Sequence, residues 1–210
     1  QKKFQPISNG EVIAYKEYGS GEKLVVMIHG WSVDSGSFAA VFPHLEKDLP
    51  GYTILAPDIR GHGNSSLNNP AYTFEDHVED LDLFLKAKGQ SHKRFWLLGH
   101  SYGGVVATRY AITHPDKVER LIMMCSLTAD GWKDDNLKDG VVETDKRYDE
   151  LLKMCHQADE EALLKRHEKD KGFLGEDFQH AIVKSRLNCR SLYHNLALVK
   201  RYMYNDYDKL

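Results

Sequence analysis

Four short apolar runs, at residues 24–28, 52–56, 95–98 and 121–125, constrain the fold of this chain more than any other feature. Each has the length of a strand, and none alternates with polar residues as a strand with one wet face would. Strands of that kind are buried on both faces, which requires helices above and below them. The intervening segments supply helical spacing. Phe38, Val41, Phe42 and Leu45 recur at i, i+3, i+4 and i+7, predicting a helix over 38–48. Phe74, Val78, Leu81 and Leu85 form a second stripe, with Thr73 to cap it and Gly89 to close it. A third helix over 102–113 ends at His114-Pro115. Strand–helix alternation implies crossovers and a mainly parallel sheet with helices on both faces, an α/β fold. Ahead of it, residues 4–8 and 11–18 flank Asn9-Gly10, a dipeptide suited to the φ > 0 positions of a tight hairpin turn.

Composition divides the chain in two. Of 16 glycines, 12 fall before residue 126, where short strands need turns. The remainder is denser in charge and spaces its apolar residues near 3.6 over 143–158, 160–169, 176–188 and 191–204. We therefore expect a core over 1–126 and a helical cap or lid over 127–210. The longest apolar runs have five residues, against the roughly 20 that a bilayer requires, so no membrane span is expected. A net charge of −3 offers no basic surface to nucleic acid. Cys125, Cys155 and Cys189 are odd in number, widely spaced and without a C-x-x-C pair. That usage points to a reduced compartment: the cytoplasm, or an organelle interior if a targeting peptide has been removed. Cys125 ends an apolar run and reads as a small buried hydrophobe.

The chemistry concentrates after the apolar runs. Gly99-His100-Ser101-Tyr102-Gly103 lies between the strand at 95–98 and the helix at 102–113. A nucleophile on so sharp a turn is strained and tolerates only small neighbours, which Gly99, Gly103 and Gly104 provide. The turn lifts the serine hydroxyl off the carboxyl edge of the sheet, and the helix start sets the Tyr102 N–H beside it. His29-Gly30-Trp31 follows the strand at 24–28 directly, so a turn there can aim the Trp31 N–H at the same edge. Two such amides would hold an oxyanion. His29 itself reads as a structural turn histidine. In Asp58-Ile59-Arg60-Gly61-His62-Gly63-Asn64-Ser65, the third glycine and the helix of a dinucleotide site are missing. An ordered loop pinned by Asp58 and Arg60 is expected instead.

These three segments, in this order and spacing, resemble the α/β-hydrolases, in the branch whose helical cap follows the strand after the nucleophile. His114-Pro115-Asp116-Lys117-Val118-Glu119-Arg120-Leu121 is similar to that family's approach to its next strand. The resemblance is specific over residues 11–125 and loose over 126–210. It implies Ser101 as nucleophile, the Trp31 and Tyr102 amides as oxyanion hole, and neither metal nor cofactor. The implied substrate is a small molecule with an ester, lactone, thioester or related acyl bond. Serine rather than aspartate at the elbow argues against haloalkane dehalogenases and epoxide hydrolases. The family orders its triad as Ser, then Asp or Glu, then His, and no acid or base occupies the later family positions here. Asp130 reads as a turn residue, and His156, His167, His180 and His194 as histidines of helix surfaces. Residues 205–210 resemble the linker into a further strand, so a chain truncated before its last core strands is expected. Two readings follow. One is a serine hydrolase active in its complete chain; the other is an inactive, hydrolase-derived binding or scaffolding subunit. An exposed sheet edge would then be open to a protein partner or a second chain.

Overall fold

The computed structural model describes residues 1–31, 33–69 and 72–126. Among these residues six strands form one sheet: β1 (Lys3–Pro6), β2 (Val12–Tyr18), β3 (Lys23–Ile28), β4 (Tyr52–Pro57), β5 (Phe95–His100) and β6 (Val118–Met124). Their spatial order is β1-β2-β4-β3-β5-β6. The β4-β3-β5-β6 pairs are parallel, and the β1–β2 and β2–β4 pairs antiparallel. This is the mainly parallel α/β sheet implied by the four apolar runs. The helical cap expected over 127–210 lies outside the described residues.

β3 shows why its sequence does not alternate. Leu24, Val26 and Ile28 pack into a core with α2 (Phe74–Ala87) and α3 (Tyr102–Thr113). Val25 and Met27 point the other way, onto Phe38 and Phe42. Successive side chains leave opposite faces of a strand, and here both faces are covered. Phe84 of α2 is 1% exposed and meets Tyr15 edge-on, with ring centroids 5.1 Å apart. Helix α2 starts on a capping box: Thr73 Oγ1 accepts from Asp76 N at 3.3 Å, and the Thr73 N–H donates to Asp76 Oδ2 at 2.6 Å. That arrangement satisfies two donors that a bare helix start leaves open.

Several expectations need correction. The helix predicted over 38–48 is two pieces, a 3₁₀ turn at Ser35–Phe38 and α1 at Phe42–Asp48. Pro43 explains the break, since it lacks an N–H and its ring would meet the carbonyl of residue 39 in a continuous helix. In the opening hairpin only Gly10 has positive φ, at 91°. Three residues separate Ile7 from Glu11, and the Ile7 N–H donates to the Glu11 carbonyl at 2.9 Å to close the loop. β6 begins at Val118, three residues before the apolar run, and stops at Met124. Cys125 therefore lies past the strand with φ 47°, and it is exposed rather than buried. Among the described residues β6 ends the sheet on its side, with Ile122 and Met124 37% and 38% exposed. No helix of the described residues is long and apolar enough to cross a membrane.

Two phenylalanines at opposite extremes of burial test this packing. Phe84→Ala should destabilise the protein by about 3–5 kcal/mol through lost contacts and a cavity. Phe4, 56% exposed, should tolerate alanine within about 0.5 kcal/mol. Urea unfolding of both variants gives the comparison, and equal losses would contradict the core described here.

Candidate active site

Register sets the site. Ile28 of β3 stands opposite Gly99 of β5, and His100 stands opposite Met124 of β6. The three strands thus end level at one edge, and their following residues meet there. Ser101 joins β5 to α3 with φ 50° and ψ −117°, a backbone conformation that non-glycine residues rarely hold. Three contacts keep it there. Its N–H donates to the Met124 carbonyl at 3.0 Å. Its carbonyl accepts from Gly104 N at 2.9 Å and from Ser126 Oγ at 3.3 Å.

The helix that follows lies against the end of β3. A Cβ at Gly103 would fall 2.4 Å from the Ile28 and His29 carbonyl oxygens, so only glycine permits this approach. The same closeness brings the Trp31 turn to the elbow. A Cβ built on Gly30 would be 3.4 Å from Ser101 Cβ and 2.9 Å from His100 Nδ1. The Tyr102 N–H opens α3, at the positive end of the helix dipole. The Trp31 indole packs on the core, its Nε1 buried without an acceptor among the described residues.

His29 is fixed in its turn. It accepts from the Ile59 N–H through Nε2 at 3.0 Å, so its proton sits on Nδ1, which donates to the Gly30 carbonyl at 2.8 Å. Both ring nitrogens are engaged with backbone, as a structural histidine requires. Burial pushes this imidazole below its ordinary pKa, against the pull of Asp58. His62, also buried, is held well below the usual value by burial and then by the neighbouring His29, their rings 5.2 Å apart. The loop carrying it is pinned as expected. Asp58, with no exposed surface, accepts from Ser35 N and Asn64 N, each at 2.9 Å. Arg60 forks onto Asp80 at 2.8 and 2.6 Å.

The structure brings Ser101 and the Gly30-Trp31 turn together and opens α3 with Tyr102 at the same edge. Among the described residues, no side chain is hydrogen-bonded to Ser101 Oγ. His100, half-buried, stands beside Gly30, and burial lowers its pKa. Asp130 and the histidines at 156, 167, 180 and 194 lie outside the described residues. Two residues whose contacts escaped the sequence are Tyr102 and Lys2. The Tyr102 hydroxyl is hydrogen-bonded to His77 Nε2 at 2.9 Å, and Lys2 reaches Asp34 and Asp58. Neither pairing has a local signature, because the partners stand 25 to 56 residues apart.

Residues 23–190 match the family model described as the alpha/beta hydrolase fold. Among curated proteins, the chain is 36% identical over 116 residues to the proline iminopeptidase PfmaB of Pestalotiopsis fici, covering 55% of this chain and 41% of that protein. It is 34% identical over 115 residues to a serine hydrolase-like protein of Mus musculus, covering 54% and 36%. These matches therefore span about two fifths of the relatives' length. Among solved structures, a probable hydrolytic enzyme from Pseudomonas aeruginosa superposes with a TM-score of 0.70 at 21% identity, covering 98% of this chain and 67% of that one. At that identity the likeness is one of fold.

The buried histidines give a testable pH dependence. Above about pH 6.5 both rings are neutral whether the chain is folded or not. As pH falls below that, the unfolded chain binds protons that His29 and His62 resist when folded, so stability drops. The urea midpoint should decline from pH 7.5 towards pH 5, and His62→Gln should flatten that slope. A level midpoint across this range would contradict a neutral, buried pair.

Proposed function

Because the chain belongs to the α/β-hydrolase family, we propose that Ser101 is the nucleophile of a serine hydrolase acting on a carboxylic ester, lactone, thioester or related acyl bond. The observation that carries this reading is the conformation of Ser101, φ 50° and ψ −117°, between β5 and α3. A strained serine at a strand–helix turn holds its hydroxyl away from the sheet, where an acyl carbon can approach. The glycine contacts that allow the turn, Gly103 against β3 and Gly30 against Ser101, also support it. The names of the relatives, an iminopeptidase and a serine hydrolase-like protein, agree with acyl transfer to water.

In this reading Ser101 Oγ attacks the acyl carbon and gives up its proton to a general base. Charge develops on the former carbonyl oxygen, and the Trp31 and Tyr102 N–H groups receive it. Collapse expels the alcohol, thiol or amine, and water then cleaves the acyl-enzyme. Pre-aimed amide donors of this kind contribute on the order of 10²–10³ each in rate. The base is not His29, whose two nitrogens are bound to backbone. The reading takes it from outside the described residues, and assigns 127–210 to a cap that selects the substrate.

A fluorophosphonate probe and a set of nitrophenyl esters test the proposal on the intact protein. The probe should modify Ser101, and Ser101→Ala should abolish labelling and lower ester turnover by about 10⁶-fold. Labelling that persists in Ser101→Ala would place the nucleophile elsewhere. An unreactive protein would support the binding or scaffolding subunit instead.

A further inference from the structure

Three segments distant in sequence converge beside the Trp31 turn. Lys2, ahead of β1, directs its ammonium at Asp34 Oδ2 at 2.5 Å, Asp58 Oδ2 at 2.7 Å and Asn64 Oδ1 at 3.3 Å. Asp34 and Asp58 are 4% and 0% exposed. Their other oxygens hold the turn that follows Trp31: Asp34 Oδ1 accepts from Gly36 N at 2.6 Å, and Asp58 Oδ1 from Ser35 N at 2.9 Å. Room for this arrangement comes from Gly63, at φ 53°, where a Cβ would lie 2.2 Å from Asp58 Oδ2 and 2.6 Å from Asp34 Cβ. One ammonium therefore sits between two buried carboxylates that grip consecutive amides of one turn.

We propose that Lys2 is a positioning residue for the oxyanion turn, fastening the segment that carries the Trp31 amide to the loop after β4. The proposal rests on the reading of Ser101 and Trp31 given above. Its physical basis is charge. Arg60 is committed to Asp80, and His29, behind Asp58, is buried and held by backbone on both nitrogens. Lys2 is then the cation that lets Asp34 and Asp58 face each other. Burial works against its charge, but Asp58 and Asp34 outweigh that and hold it above the ordinary lysine pKa. Without the ammonium, two buried carboxylates repel across the gap, and the turn they hold moves away from the elbow. A displacement near 1 Å at a reacting centre costs on the order of 10²-fold in rate.

Two measurements on the intact protein separate the clamp from its catalytic consequence. Hydrogen exchange at Ser35 and Gly36 reads the clamp without any activity. Fluorophosphonate labelling of Ser101 and ester kinetics read the consequence. Lys2→Met should speed exchange at those two amides and slow labelling by about 10- to 10²-fold, lowering kcat with little change in KM. Lys2→Arg should restore most of the rate. Lys2→Gln, which keeps a donor without the charge and folds if Lys2→Met does not, should share the deficit. Unchanged exchange in Lys2→Met and Lys2→Gln overturns the clamp. Faster exchange with native labelling overturns its positioning role, as does a deficit that arginine does not rescue. A native protein that the probe does not label overturns the reading of Ser101, while the exchange result still decides whether Lys2 holds the turn.

Discussion

The first turn of α3 lies in van der Waals contact with the end of β3, and the site depends on that contact. Gly103 has the Ile28 and His29 carbonyl oxygens where any side chain would have to go. This approach fixes the helix to the sheet at the one place where β5 must reverse into α3. It therefore fixes Ser101 as well, since Ser101 is the residue between them. Parallel register does the rest. With Ile28 opposite Gly99 and His100 opposite Met124, the segments after β3, β5 and β6 emerge side by side. The geometry of the elbow is thus a backbone property, set by strand pairing and missing side chains more than by any polar contact.

The charged side chains buried around this edge have partners. Asp58 has Lys2 and two backbone amides, Arg60 has both oxygens of Asp80, and Glu11 accepts from the amides of Asn68 and Asn69 at 3.0 and 3.4 Å. A buried ion pair adds little net stability over a well-packed apolar pair, but breaking one is costly. Such pairs consequently specify one arrangement of loops over others more than they raise its stability. The loop at 58–69 illustrates the point. Ser65 and Ser66 accept from the Ala14 and Val12 amides at 2.9 and 2.7 Å, so the segment is stitched to β2 by hydrogen bonds where it has few apolar residues to bury.

Much of this was legible in the sequence, and what failed did so for identifiable reasons. β3 and β4 could be read because a strand buried on both faces must be apolar throughout, and both are buried after their first residue, whereas β6 carries its apolar run on a strand whose Glu119, Arg120, Ile122 and Met124 are exposed. The elbow could be read because glycines cluster at 99, 103 and 104, with a strand before and a helix after. The split helix at 35–48 was misread because its apolar spacing ignores what Pro43 does to backbone bonding. Cys125 was misread because its apolar neighbours suggested a strand that ends one residue earlier. The Lys2 cluster and the His77–Tyr102 contact could not be read at all. Long-range polar pairs leave no periodicity, and a lysine before a strand looks the same whether it is solvated or bound.

Holding Ser101 at φ 50° costs about 1–3 kcal/mol, and the molecule offsets it from three directions. β6 contributes the Met124 carbonyl and the segment after it the Ser126 hydroxyl, β3 the surface against which Gly103 rests, and α3 its own first turn through Gly104 N. Tyr102 links this strain to the core. Its side chain is 1% exposed among Phe74, His62 and His77, while its amide opens the helix at the elbow. One residue is therefore both a core side chain and the first residue of the helix at the candidate site. Packing that holds the ring also aims the N–H, so the direction of that donor is settled when the protein folds rather than when a ligand arrives. In the proposed mechanism a donor aimed in this way would be effective because no reorganisation remains to be done as charge develops.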